Sequence, residues 1–252
     1  MKKMNIPEEK FWNVAKTGSK TGEVYIYHQI SNYHYEGYSD SAESIKKDIE
    51  ELGDVDTINL YINSPGGSVT AGVAIYNYLR RKSKTAKIVG YIDGIAASIA
   101  TIIASACDEL HICTGGMYMI HRASTYAWGN VDEMKAQLEI LEKIDSQMTD
   151  IYLARTNGKI TEDKLKEMLK GTNNDGTWLT AKEAVEYGFC DDIEDFESKA
   201  TALWDDKAFE SEQIPDSALK FAKQMPSIDA VTEEERKYLE KQKLFMKMEG
   251  IQ

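Results

Sequence analysis

The sequence predicts an α/β fold made of repeated strand–turn–helix units. A β-branched, apolar run over residues 57–62 leads into a Pro-Gly-Gly turn and then a helical pattern. A second run, residues 87–92, ends at Asp93 and Gly94 and is followed by a small-residue helix beginning near Ala97. At 252 residues and 42% hydrophobic, the chain is long enough for one large domain and an appendage.

Composition restricts the partners and cofactors. A formal net charge of -12 argues against nucleic acid or an anionic membrane as the main partner. The longest apolar stretch, residues 92–106, is too short to span a bilayer and contains Asp93, and no signal peptide is evident, so we expect a cytoplasmic protein. The three cysteines are odd in number and lack metal-ligand spacing, so we expect reduced thiols and neither a metal nor a cofactor.

The start of the chain is predicted to be a polar lead-in of 22 residues. Phe11 and Trp12 are its large apolar anchors, which favours a docked loop rather than a gate. The elements predicted next are a strand over residues 23–30 and a helix that is capped by Asp40 or Ser41 and extends to Leu52.

The turn of the first unit contains two adjacent glycines, Gly66 and Gly67, after Pro65. Such a turn can expose backbone N–H groups without obstruction by side chains. An ordinary strand–helix connection is one interpretation, and a phosphate-binding loop is another, although the Lys-Ser/Thr ending of that motif is missing. The following helix is predicted to bury one face, formed by Val69, Val73, Tyr76 and Leu79.

The second unit supplies two chemically interesting side chains. Ser98 lies at the predicted strand-to-helix turn, where the N-terminal end of a helix favours developing negative charge. Taken alone, a serine at such a position is more often a helix cap than a nucleophile. His121 follows a predicted strand, so a possible nucleophile and a possible general base both lie at strand ends, where α/β folds usually build their sites.

The rest of the chain is predicted to be mainly helical. A long helix over residues 130–155 carries apolar residues at a spacing near three and a half, which fits either an inter-subunit face or packing on its own core. From Glu194 the sequence becomes acidic, and we expect a linker and a terminal helix. The remaining predicted elements are strands at 109–113 and 117–120 and helices at 160–169, 180–188 and 232–248.

The chain contains four motifs in a characteristic order: SPGGSVTAG, GIAAS, MYMIH and WLTAKEAVEYGF. Through these motifs it resembles the proteolytic subunit of the Clp protease family over residues 24–193. The resemblance implies a serine endopeptidase of the crotonase-like fold, with a Ser-His-Asp triad and rings of identical subunits. It makes Ser98 the nucleophile and His121 the base, and it assigns the oxyanion hole to the N–H groups of Gly67 and Ile99. The implied organisation is a lead-in (1–22), a protease domain (23–193) and an acidic extension (194–252).

The third member of the triad is where the chain departs from the family pattern. The family places an aspartate two residues before the aromatic residue that corresponds to Trp178, and that position is Gly176 here. A one-residue bulge in the loop would let Asp175 take the role, and this is our prediction. The alternative is that a backbone carbonyl or a water molecule orients His121.

Two settings are open within the family. One is a degradative subunit that works with a separate unfoldase ATPase, since the chain has no nucleotide-binding loop of its own. The other is the head-maturation protease of tailed phages, which cuts capsid or scaffold precursors. The run TWLTA, the FWN stretch and the extension resemble the phage branch. Two further interpretations are a catalytically silent structural subunit and an acyl-CoA enzyme of the crotonase fold, although the paired motifs GIAAS and MIH speak against the second.

Overall fold

The computed structural model describes residues 10–35 and 38–194, which form ten strands and six helices. The strands are β1 Trp12–Lys16, β2 Thr21–Ile26, β3 Tyr33–Tyr35, β4 Tyr38–Asp40, β5 Thr57–Ser64, β6 Lys87–Ala97, β7 Glu109–Cys113, β8 Met117–Ile120, β9 Thr177–Thr180 and β10 Asp192–Glu194. The helices are α1 Ala42–Glu50, α2 Val69–Lys82, α3 Ile99–Ala104, α4 Val131–Thr156, α5 Glu162–Lys170 and α6 Ala181–Glu186. The predicted helix 232–248 lies outside the described residues.

Eight strands form one mixed sheet, which confirms the predicted α/β class. Its main path is β1-β2-β5-β6-β7-β10, and all neighbours after β2 run parallel. Residues alternate between buried and partly buried along β5, and each fully buried aliphatic side chain there contributes about 1.5–3 kcal/mol. Consecutive strands β5 and β6 are joined by α2, as a parallel pair requires.

Strand β6 is longer than the sequence predicts and divides its pairing between two neighbours. Residues 89–92 pair with β7, and residues 95–97 pair with β8. The predicted turn at Asp93 and Gly94 is therefore part of the strand, and β6 continues to Ala97. Because of this extension, Ser98 and the end of β8 lie at the same edge of the sheet.

The lead-in contributes a strand that we did not expect. Residues 12–16 pair antiparallel with β2 as β1, where the sequence predicts a docked loop. Phe11 and Trp12 are buried, and the Trp12 indole N–H donates to Asp48 Oδ2 at 2.8 Å. Long-range pairing of this kind leaves little trace in a short polar segment.

Helix α2 starts at a capping residue, but it buries a different face from the one that the sequence predicts. Ser68 caps α2, and its buried residues are Ala71, Gly72, Ile75, Tyr78 and Leu79. Val69, Val73 and Tyr76 pack only at the edge of the core. The reason is close contact with α3, because a Cβ on Gly72 would lie 2.2 Å from Ile99 Cγ1. Small residues must therefore face α3.

Helix α4 packs on the core through its C-terminal part, and its N-terminal part is exposed. It starts at a capping box formed by Asn130 and Glu133, and its buried residues, from Met148 to Thr156, all lie in its C-terminal third. The N-terminal part and the preceding loop are exposed, including several large apolar side chains: Tyr126, Trp128, Val131, Met134, Leu138 and Ile140. No helix within residues 10–35 and 38–194 has the length and apolar character needed to cross a bilayer.

Candidate active site

Ser98 lies between the end of β6 and the start of α3, in a backbone conformation that serine rarely adopts. Its φ is 56° and its ψ is -130°. Its side chain makes no capping hydrogen bond to α3, so the alternative of an ordinary helix cap does not hold. Its backbone N–H donates to Met119 O at 2.9 Å.

The hydroxyl of Ser98 meets the imidazole of His121. The distance between His121 Nε2 and Ser98 Oγ is 2.7 Å, which is within reach for general-base catalysis. Burial lowers the pKa of His121, and the negative charge of Asp145 partly offsets this effect. At neutral pH the imidazole is therefore uncharged and able to accept the hydroxyl proton.

The Gly66–Gly67 turn packs directly against Ser98. A Cβ on Gly66 would lie 2.6 Å from Ala97 O and 2.7 Å from Ser98 Cβ, so only glycine permits this approach. The turn is held by two backbone bonds to Ile30, from Ile30 N–H to Gly66 O and from Ser68 N–H to Ile30 O. Within the described part of the chain, the N–H groups of Gly67 and Ile99 have no backbone acceptor. Both belong to segments that adjoin Ser98.

A small cleft borders the Ser98–His121 pair. Its volume is about 20 Å³, close to that of a single water position. It is walled mainly by apolar side chains of α3 and α4: Ile99, Ile102, Ile144, Met148 and Tyr152.

The predicted role of Asp175 is not supported by its position in the structure. The Asp175 side chain is exposed, accepts a long bond from Asn173 N–H at 3.4 Å and makes none to His121. Gly176 is the residue that lies against the histidine, because a Cβ there would be 2.4 Å from His121 Cβ. The family position thus adjoins His121, as the resemblance implies, but it carries no carboxylate. A bulge that would bring Asp175 inward does not form.

Sequence reasoning missed a buried chain of hydroxyl groups beneath Ser98. Thr101 Oγ1 donates to Ser98 O at 2.5 Å, and the Tyr152 hydroxyl is 2.5 Å from the same Thr101 oxygen. The Tyr118 hydroxyl donates to Thr101 O at 3.2 Å. Tyr152 fits the apolar pattern of α4, so its polar contact gave no signal in the sequence. These bonds connect α4 to the backbone of Ser98.

A mostly parallel α/β sheet with a serine and a histidine in hydrogen-bond contact at its edge is the arrangement of a serine hydrolase. Comparison with known proteins agrees with this class. The family model for Clp protease matches residues 25–197. The chain is 32% identical over 138 residues to the ATP-dependent Clp protease proteolytic subunit 2 of Tropheryma whipplei, covering 54% of this chain and 72% of the relative. It is 36% identical over 143 residues to the ATP-dependent Clp protease proteolytic subunit of Streptococcus mutans, covering 54% and 67%.

The chain therefore belongs to the Clp protease family. It is a serine peptidase, that is, a hydrolase, and the predicted family, fold class and enzyme class are confirmed.

Proposed function

We propose that this protein is a serine endopeptidase in which Ser98 is the nucleophile and His121 the general base. The observation that carries the proposal is the 2.7 Å contact between His121 Nε2 and Ser98 Oγ. The N–H groups of Gly67 and Ile99 are proposed as the oxyanion hole, because both belong to segments that pack against Ser98.

The mechanism follows from these positions. His121 takes the proton of Ser98 Oγ as this oxygen bonds to a peptide carbonyl carbon, and the carbonyl oxygen becomes an oxyanion beside the N–H groups of Gly67 and Ile99. The imidazolium then gives its proton to the leaving amine, the C–N bond breaks and an acyl-enzyme remains. Water, activated by the same imidazole, releases the acyl group and restores Ser98.

A fluorophosphonate probe tests the assignment. Labelling of the full chain should be abolished in Ser98→Ala and reduced at least ~100-fold in His121→Ala. Ser146→Ala is the matched control, since this serine is exposed on α4 and alanine suits a helix. If the folded wild-type protein is not labelled, the silent structural subunit is the correct interpretation.

We further propose that the protein assembles into a homo-oligomeric ring. The support is the exposed apolar segment that covers the loop after His121 and the first part of α4, in which Tyr126 is 97% and Trp128 86% exposed. An apolar surface of this extent typically marks an interface. Light scattering of the full chain should give a mass several times that of one chain, and Trp128→Glu with Val131→Glu should lower it. A monomeric wild-type protein would refute the assembly.

For the biological setting we propose phage head maturation, in which the enzyme cuts capsid or scaffold precursors in the host cytoplasm. The support is the resemblance of the TWLTA run and the FWN stretch to that branch. The alternative is protein degradation with a separate ATPase, which the names of the bacterial relatives favour. A capsid precursor cleaved without ATP would support the first setting. Turnover of a folded substrate only with an unfoldase and ATP would support the second.

A further inference from the structure

One acidic side chain on α4 lies near the proposed base and is not explained by the assignments above. Helix α4 passes the cleft with Ile144 and Met148, and Asp145 is on the same turn. The Asp145 side chain is partly buried, and its Oδ1 accepts the backbone N–H of Ala123 at 2.7 Å. Ala123 is two residues after His121, so this bond ties the segment that carries the imidazole to α4.

Electrostatics connect the same carboxylate to His121. Burial lowers the pKa of His121, and the charge of Asp145 raises it. Two charged groups that adjoin the histidine in sequence or in the neighbouring loop bond elsewhere: the Arg122 guanidinium donates to Asn174 Oδ1 at 3.1 Å, and Asp175 accepts from Asn173 N–H. The hydroxyl of Tyr152, also on α4, is bonded to Thr101.

The position that should supply the acid cannot do so. Gly176 lies against His121 but has no side chain, and its φ of 81° together with the Cβ distance of 2.4 Å to His121 leaves no room for one. A negative charge near the histidine would favour the reaction, because the imidazole becomes a cation when it takes the Ser98 proton. Within the described residues, an acid from a different element can supply this charge.

We propose that Asp145 is the acidic positioning residue of His121, in place of Asp175. It holds the chain after His121 through the Ala123 N–H and stabilises the imidazolium through its charge. This inference rests on the proposed function of Ser98 and His121. It assigns to the long helix α4 a part in the reaction, in addition to its part in the fold.

Two substitutions separate the charge of Asp145 from its hydrogen bond. Asp145→Asn keeps an oxygen that can accept the Ala123 N–H but removes the charge, whereas Asp145→Ala removes both. Asp175→Asn and Asp150→Asn are the controls, the second being an exposed aspartate on the same helix. We expect Asp145→Asn and Asp145→Ala to lower the rate of fluorophosphonate acylation at pH 7 by about 10- to 1,000-fold, less than the ~10⁴-fold cost where a triad aspartate bonds its histidine directly. The controls should match the wild type.

The pH profile provides a readout that a purely structural role would not move. Acylation needs neutral His121, so its rate rises with pH through the pKa of this histidine. A nearby negative charge favours the imidazolium, so its loss in Asp145→Asn should shift the acidic limb to lower pH. An unmoved limb, wild-type activity in Asp145→Asn, or a shifted limb in Asp175→Asn would overturn the proposal.

A second measurement does not depend on activity. The chain has four histidines, so NMR titration can assign His121 by comparison with His121→Ala. In the Ser98→Ala background, Asp145→Asn should lower the pKa of His121, and an unchanged pKa would overturn the inference. If the wild-type protein is not labelled at all, the proposed function fails. If it is labelled and Asp145→Asn behaves like the wild type, the assignment of Asp145 alone fails.

Discussion

The backbone of Ser98 should make glycine more stabilising than alanine at this position. With φ at 56° and ψ at -130°, Ser98 occupies a region that residues with a Cβ rarely adopt. Ser98→Ala and Ser98→Gly both remove the hydroxyl and its bond to His121. They differ in the Cβ, so the comparison isolates the strain of the backbone.

The expected difference follows from two opposing terms. A non-glycine residue held in a sparsely populated region costs about 1–3 kcal/mol, and glycine removes this cost. Glycine also loses more conformational freedom on folding, which costs roughly 0.5–1 kcal/mol relative to alanine. With the middle of each range, Ser98→Gly should therefore be more stable than Ser98→Ala by about 1 kcal/mol, or roughly 2–4 °C in the melting temperature of a domain of this size.

Chemical denaturation of both variants measures this difference. The neighbouring Ala97 is the control, because its φ is not positive and it is buried in β6. At this position glycine should be less stable than alanine, so Ala97→Gly should lower the free energy of unfolding by about 1 kcal/mol. Equal stability of the two Ser98 variants, or greater stability of Ser98→Ala, would show that the strain is absent.

Three further predictions concern the surroundings of the site. Gly67→Ala should lower fluorophosphonate labelling at least ~100-fold, because the φ of Gly67 is 141° and a Cβ there would lie 2.1 Å from Ile30 O. Gly115→Ala is the control and should be labelled like the wild type, because a Cβ on Gly115 would have no atom within 4 Å. Tyr152→Phe should lower the free energy of unfolding by about 1 kcal/mol by removing the buried bond to Thr101, and an unchanged denaturation midpoint would contradict this. Burial raises the pKa of the thiols of Cys107, Cys113 and Cys190. Iodoacetamide should therefore modify all three cysteines in the denatured protein but react only slowly with the native protein. Rapid labelling of any of them in the native protein would be inconsistent with the structure.

Local patterns in the sequence predicted much of the fold. The predicted bounds of β7 and β8 match the structure, and the long helix agrees to within one residue at each end. These elements are encoded by neighbouring residues, through apolar periodicity and caps such as Asn130 and Thr161. The order of the four family motifs was equally a property of the sequence, and it was enough to predict the Clp protease family before any contact was known.

The surroundings of His121 could not be predicted in the same way. A gap-free count along the sequence identifies Gly176, and only the fold shows that this glycine is packed against the histidine while Asp175 remains exposed. The extension of β6 past Asp93 likewise depends on pairing with β8, which is distant in sequence.

The sequence by itself determined the strand–turn–helix units, the class of enzyme and the residues proposed as nucleophile and base. The tertiary structure decided which groups meet: it brought the Ser98 hydroxyl to the His121 imidazole and tied Ala123 to Asp145 across 22 residues of chain. The physical reason is range. Caps and periodicity act within a few residues, whereas a hydrogen bond or a charge at the site depends on how separate elements pack. Until that packing is known, an aspartate on a long amphipathic helix cannot be distinguished from any other solvated charge.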